Sequence, residues 1–238
     1  MNNQLYKGKE KTVFAVAGDE SKVQVLFRDD ISAFHGVKRA TLLGKGKINC
    51  SVCALIFKEL ERAGVKTHFI EQDKECTSLI CRHAKSIPLQ IFVRNCFSGS
   101  TAAMLGVADM TPTPNTIVEL HLKKEELDYP LINEHLAVGL GLINYDEAKK
   151  MLDTSLKVNE ILSSLFKKVG IKLIDVRLEF GRLDDGSFVL IDEISPDNMR
   201  LEDIATGERL DKDRFRYDLG HICEYYQVVL DKLNSLNS

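Results

Sequence analysis

Glycine and proline, 15 and 5 of the 238 residues, are too few for a collagen-like or linker-dominated chain. No apolar run approaches the ~20 residues of a bilayer-spanning helix. Residues 1–11 are polar and charged, without the apolar stretch of a secretory leader. The expectation is a soluble cytoplasmic protein that makes no membrane contact. Six cysteines are present, Cys50, Cys53, Cys76, Cys81, Cys96 and Cys223. Without a leader, and at this chain length, disulfide staples are not expected. Cys50 and Cys53 have a metal-like spacing, but no second close pair follows, so they read as small core residues of a helix. The sequence also lacks a complete P-loop, a dinucleotide fingerprint, a nucleophile elbow and a recognisable catalytic triad, and its His residues are scattered. Those absences favour electrostatic positioning over covalent catalysis by a side chain.

What remains is the composition of a globular protein with a substantial core: 44% hydrophobic and 28% charged residues. The length suits one medium domain or two fused lobes sharing a cleft. Net charge is -3, unevenly spread: residues 1–90 carry 15 Lys and Arg against 10 Asp and Glu, and the rest carry 17 against 25. This acidity argues against a duplex nucleic-acid binder but leaves room for a phosphorylated small molecule in a local basic pocket.

The first ninety residues read as strand-rich. Thr12–Val16 and Lys22–Phe27 predict a hairpin about the turn at residues 17–20. Apolar residues at helical spacing predict a helix over residues 49–63, stopped by Gly64. Further strands are expected at residues 67–70, 77–81, 89–93 and 117–122. Residues 110–115, with two prolines, predict a loop and a candidate lobe boundary. Asn144, with Glu147 three residues later, predicts an N-cap for a helix running to about Val169. A second hairpin is expected from residues 171–180 and 187–191, and an amphipathic helix over 221–236. The class is α+β.

The strongest local signal is Asp175-Val-Arg-Leu-Glu-Phe-Gly181. Period-two geometry predicts Asp175, Arg177 and Glu179 on one strand face. Across the hairpin, Glu179 is expected to face Asp192. Adjacent carboxylates repel unless a cation lies between them, and a hard ion such as Mg²⁺, partly ligated by phosphates, would serve. A solvated edge hairpin is the competing reading. Gly8-Lys9-Glu10-Lys11 could cover phosphates as a flexible glycine loop, with Lys9 and Lys11 on one strand face, or could be a charged hairpin edge. Arg94, at the end of an apolar strand, Ser100, at a helix start, and Arg200 could converge on a phosphate. The charge-dense run Asp211-Lys-Asp-Arg-Phe-Arg216 is either a solvated turn or the orderer of an active-site rim.

Together these segments resemble the SAICAR synthetase (phosphoribosylaminoimidazole-succinocarboxamide synthase) family, in order and over nearly the full chain. The resemblance rests on Tyr6-Lys-Gly-Lys-Glu-Lys-Thr-Val-Phe14, Phe27-Arg-Asp-Asp-Ile-Ser-Ala-Phe34, Gly44-Lys-Gly-Lys-Ile-Asn49 and Val93-Arg-Asn-Cys-Phe-Ser-Gly-Ser100. Most specific are Leu173-Ile-Asp-Val-Arg-Leu-Glu-Phe-Gly181 and Asp192-Glu-Ile-Ser-Pro-Asp197 with Arg200. The resemblance implies a small β-rich, kinase-like amino-terminal lobe (residues 1–85), a larger α/β region (residues 86–238) and an ATP cleft between them. It implies ATP-dependent joining of L-aspartate to 5-amino-1-(5-phospho-D-ribosyl)imidazole-4-carboxylate in purine biosynthesis, with Mg²⁺ as cofactor. Gly8, Lys9, Lys11 and Lys123 then map to nucleotide contacts, and Glu179 and Asp192 to the metal beside ATP. Arg94, Ser100 and Arg200 map to the ribose phosphate, and Asp175, Arg177, Asp197 and Lys212 to the catalytic centre. A homo-oligomer is implied as well, with no nucleic-acid partner.

The sequence departs from the family pattern at four places. Arg177 stands for the usual Lys, Tyr129-Pro130 for Asp-Pro with Asp128 just before it, Met104 for an Arg, and Glu202 for a Trp. Arg177 keeps the charge but replaces a compact ammonium with a planar fork. The rival readings are an amide ligase with another carboxylate or amine, a nucleotide-binding regulator without catalysis, and a kinase. Retention of both Glu179 and Asp192 argues against the second, and the missing kinase signatures against the third.

Overall fold

The computed structural model describes residues 3–237; Met1, Asn2 and Ser238, the outermost residues of the two expected lobes, lie outside the described residues. Alternation builds the first half. β1 (Gln4–Lys7), β2 (Lys11–Val16) and β3 (Asp19–Phe27) form a meander in which Val23, Val25 and Phe27 turn to the core. β4 (Asp30–Ala33) and β5 (Lys38–Thr41) make a separate ribbon. After α1 (Lys45–Arg62), β6 (Phe69–Gln72) and β7 (Ser78–Arg82) complete an antiparallel sheet of order β1-β2-β3-β7-β6.

α1 begins four residues before the expected Asn49. Its N-cap is Gly44, which has no capping side chain; the Asp29 carboxylate instead accepts from the Gly44 and Gly46 amides at 3.1 and 2.9 Å. A Cβ on Gly46 would stand 2.7 Å from the Phe27 carbonyl oxygen, so only glycine permits this approach. Cys50, Cys53, Phe57 and Leu60 then bury the face packed on the sheet, and both cysteines are free thiols.

The second half contains β8 (Lys85–Ser86), β9 (Leu89–Cys96), α2 (Gly99–Leu105), β10 (Pro112–Leu122), β11 (Leu131–Ile132) and α3 (Glu134–Gly139). It continues through α4 (Tyr145–Lys168), β12 (Ile171–Arg182), β13 (Phe188–Ile191), β14 (Met199–Asp203), α5 (Asp213–Arg216) and α6 (Ile222–Asn234). The second sheet has the order β11-β10-β9-β12-β13, with β14 and β8 also paired to β12. β12 is therefore the hub, and it is buried along most of its length. Asn144 forms the expected capping box with Glu147 at the start of α4.

The expected loop at residues 110–115 is corrected. Pro112 already pairs with Cys96, and the register slips before Ile117 meets Arg94. Proline cannot donate to the ladder, so the prolines make an irregular strand entry rather than a boundary between lobes. The two sheets are tied instead by a parallel bridge, Thr67 to Leu190, where His68 N donates to Leu190 O at 2.9 Å. One hydrophobic cluster, from Val25 and Phe57 to Leu89, Phe166 and Leu178, runs through both sheets.

Candidate active site

Residues of both sheets line a cleft of about 2140 Å³. Val13, Val23 and Val25 come from the first sheet, and Gln90, Phe92, Glu119, Arg177 and Glu179 from the second. Gly8, Lys9, Lys11, Arg94, Ser100, Lys123, Arg177, Glu179, Asp192, Arg200 and Lys212 all line it.

The acidic wall is built by β12 and β13. Glu179 pairs with Ile191, so Asp192 lies one residue beyond the expected facing position. Asp192 leaves the ladder with φ 68, a left-handed conformation whose cost is on the order of 1 kcal/mol. Glu179 accepts from Gln90 Nε2 at 3.1 Å and from Lys123 Nζ. Asp192 accepts from Lys11 Nζ, which is 3.0 Å from Glu193, and lies 3.5 Å from Arg177 Nη2. Burial alone would lower the Lys11 ammonium and raise the Asp192 carboxyl. Their mutual attraction, aided by Glu193 on one side and Arg177 and Lys123 on the other, wins in both cases. Glu193 goes the other way: burial, together with Asp192 and Asp197, pushes its carboxyl up in spite of Lys11. Burial also pushes His68 down to about 4, leaving a neutral ring near the Asp192 carbonyl at 3.2 Å.

The glycine loop is a turn rather than a strand face. Gly8 N donates to Lys11 O at 2.9 Å. Lys9 lies within the turn and pairs with Glu125 at 2.6 Å, whereas Lys11, at the start of β2, enters the acidic wall. The expectation that Lys9 and Lys11 share one strand face is thus corrected. Arg28 pins the loop, donating to the carbonyls of Gly8, Lys9 and Lys11 and to Thr12 Oγ1 at 2.6–2.8 Å.

Further along the same sheet, β9 and β14 flank β12 and carry two arginines paired with buried carboxylates. Arg94 on β9 is 2% exposed. Its Nε and Nη2 donate to the Glu119 oxygens at 2.9 and 3.0 Å, and its Nη1 to Asp175 at 2.8 Å. Arg200 on β14 donates from Nη1 to Asp175 and from Nε to Asp213, at 2.8 and 2.9 Å. Its Nη2 lies beside Gly99, where an added Cβ would stand 2.7 Å away. Ser100 follows, exposed, in the first turn of α2. Lys212 pairs with Glu10 of the glycine loop, tying this side to the first sheet.

Two expected catalytic carboxylates do not reach the cleft surface. Asp175 is 3% exposed and holds Arg94, Arg200 and Ser98. Burial opposes its ionisation, but the Arg200 and Arg94 charges outweigh that and keep its carboxyl low. Asp197 is enclosed by Lys45 (2.5 Å), Asn49 (2.6 Å) and Tyr226 (2.8 Å). Against the effect of burial, Lys45 and Lys212 hold its carboxyl down at about 2. The oxygens of both are engaged by neighbouring side chains inside the wall.

Sequence reasoning missed Arg28, Gln90, Ser98, Glu119 and Glu193. Two of them left a signal. Gln90 interrupts the apolar run Leu89–Val93, and Glu119 shares a period-two face with His121 and Lys123. Glu119 accepts from Arg94, Thr101 and His121; although burial opposes it, these bonds bring its carboxyl down to about 2.

The described residues contain no group of three or more His, Cys, Asp or Glu able to cage a metal. Glu179 and Asp192 instead offer hard oxygen donors on one cleft wall. That donor set fits Mg²⁺, which takes one or two carboxylates and completes its shell with phosphate and water oxygens.

Residues 4–233 match the SAICAR synthetase family. A Clostridium botulinum protein (strain Langeland) named phosphoribosylaminoimidazole-succinocarboxamide synthase is 43% identical over 232 residues, covering 98% of each chain. The chain belongs to the SAICAR synthetase family. A synthase of the same name from Fusobacterium nucleatum is 43% identical over 229 residues, covering 96% of each chain. Among solved structures, the Ehrlichia chaffeensis synthase superposes with a TM-score of 0.94 at 37% identity, covering 98% of each chain. A SAICAR synthetase in complex with ADP gives 0.92 at 41% identity, covering 97% of each chain. The α+β class, family and ligase activity expected from the sequence agree with these relatives. No helix of the described residues is long and apolar enough to cross a membrane.

Proposed function

We propose that this member of the SAICAR synthetase family joins L-aspartate to 5-amino-1-(5-phospho-D-ribosyl)imidazole-4-carboxylate with hydrolysis of ATP, giving SAICAR, ADP and phosphate. The observation that carries the reading is the single cleft whose acidic wall, Glu179 and Asp192 with Lys11 and Lys123, opens onto the same space as Arg200 and Ser100. It brings together sites suited to a triphosphate and to a second phosphorylated molecule.

ATP occupies the side covered by Gly8, Lys9 and Lys11, with Lys123 contacting its phosphates. Mg²⁺, held by Glu179 and Asp192, neutralises phosphate charge when bound. The ribose phosphate lies at Arg200 and Ser100; Arg94 backs Arg200 through their shared partner Asp175. A carboxylate resists amine attack because its leaving oxygen is poor. In this reading the ribotide carboxylate oxygen attacks the γ-phosphorus, ADP departs, and an acyl phosphate forms. The aspartate amine then attacks the acyl carbon, loses a proton and displaces phosphate. Lys11, Lys123 and Arg177 are suited to stabilise the charge on the transferring group, and Lys212 to hold the cleft side formed by residues 211–216 against Glu10. Division into lobes at residues 85 and 86, assembly as a homo-oligomer and a cytoplasmic location belong to the same family reading; sedimentation of the purified protein tests the assembly.

The route is tested with ribotide labelled with ¹⁸O in its carboxylate. Label transferred to the released phosphate supports the acyl phosphate, and phosphate free of label overturns it.

A further inference from the structure

The run Asp211–Arg216 lies beside Arg200, and its charges are engaged inside the molecule. Asp211 and Asp213 are 0% and 2% exposed. Asp211 has no ion-pair partner among the described residues. One of its carboxylate oxygens accepts from Leu201 N at 2.7 Å, and the other from Asp213 N at 2.6 Å. Asp213 holds two guanidinium groups, Arg200 Nε at 2.9 Å and Arg216 Nη1 at 2.5 Å.

These contacts form a closed ring. Asp211 grips β14 at Leu201, the residue next to Arg200, and also the first residue of α5. That residue, Asp213, returns to the Arg200 side chain. The strand residue next to Arg200 and the residue whose carboxylate holds its guanidinium are thereby both tied to Asp211. Asp175 fixes the other edge of the guanidinium at 2.8 Å and Gly99 leaves room for Nη2. A fully buried carboxylate without a direct ion pair is expensive to fold. Burial, and next the charge of Asp213, push Asp211 up to about 7. Two backbone donors and the orientation of the neighbouring arginine give that cost a function.

We propose that Asp211 and Asp213 are a positioning pair for the ribotide-phosphate site, aiming Arg200 into the cleft without touching substrate. The proposal rests on the assignment of Arg200 to the ribose phosphate. Misdirecting Arg200 then weakens capture of the phosphorylated imidazole, while the nucleotide side is joined to this run through the Lys212–Glu10 pair, which neither aspartate substitution removes.

The test is a double-mutant cycle on the full chain, with KM for the ribotide, ATP and aspartate measured for Asp211→Asn, Arg200→Ala and the double variant. Asp211→Asn keeps the shape but turns an amide donor toward one of the two backbone N–H groups. Its expected effect is a rise of about tenfold in ribotide KM, with ATP KM within about twofold. In the Arg200→Ala background the same substitution should add little, because residues acting through one group are not additive. A full additional rise there, a parallel change in all three KM values, or an unchanged ribotide KM overturns the positioning pair. If Asp211→Asn does not fold, Asp213→Asn, which keeps both backbone contacts of Asp211, is carried through the same cycle with the same criteria. The two readings separate at the single Arg200→Ala variant. An unchanged ribotide KM there overturns the phosphate assignment and the pair with it. A raised KM there, with no effect of Asp211→Asn or Asp213→Asn, overturns the pair alone.

Discussion

Glu179 and Asp192 illustrate how one residue's environment sets its chemistry. Each lies on the cleft wall with an ammonium group against it, Lys123 for Glu179 and Lys11 for Asp192. Truncating either to alanine removes a hard-oxygen donor and an ion pair; Lys123 then loses Glu179, whereas Lys11 keeps Glu193 at 3.0 Å. Glu179→Ala and Asp192→Ala should each lower Mg²⁺-dependent turnover by about 100-fold or more in a steady-state ADP-release assay. Near-normal turnover in both would remove them from the metal role. Gly99 is the converse case, where the absence of atoms matters. Its φ of +57 and the 2.7 Å approach of Arg200 to an added Cβ make Gly99→Ala both strained and obstructive. The expected result is a ribotide KM raised about tenfold with ATP KM unchanged; equal effects on both would point to general unfolding instead.

At the scale of elements, local chemistry set most of what the sequence could reveal. Asn144 and Glu147 form a reciprocal cap because both partners lie within one turn. Asn144→Ala should cost about 1 kcal/mol in a chemical-denaturation experiment and leave KM values unchanged. The hairpin of β2 and β3 was legible from two β-prone runs and the turn between them, and the strand face carrying Arg177 and Glu179 from alternation. The start of α1 was not, because its cap comes from Asp29, fifteen positions before Gly44. The entry to β10 was hidden by its prolines, whose missing donors are tolerated where the register slips. Arg28, Ser98 and Glu193 eluded sequence reasoning for a similar reason. Their roles follow from partners brought near only by folding, such as the glycine-loop carbonyls that Arg28 holds. The burial of Asp197 and Asp175 was not legible either, since a motif gives residue type and order, not which side of the wall a carboxylate faces.

For the whole molecule, the buried charge clusters tie stability to pH. Asp197 and Glu119 both fall to about 2 in the fold, from ordinary values of 3.8 and 4.5. Because the folded pKa lies below the unfolded one, their contribution is present above pH ~4–5 and lost as pH falls toward 2. Asp197→Asn should destabilise by about 3 kcal/mol at pH 7, since it leaves Lys45 buried beside a neutral partner. The gap from the unaltered protein should narrow between pH 4 and 2, as followed by urea unfolding. A gap independent of pH would contradict that assignment. Glu119 also holds Arg94 in the cleft lining, so its protonation at low pH disturbs fold and site together.

The reaction itself is tested most directly by ADP release from the purified protein with Mg²⁺, each of ATP, the imidazole-carboxylate ribotide and L-aspartate being omitted in turn and the succinocarboxamide detected by mass. The account predicts one SAICAR per ADP, and no amide product when any of the three is missing. ADP formed at full rate without SAICAR, or an amide built from a different amine or acid in preference to these, would contradict it.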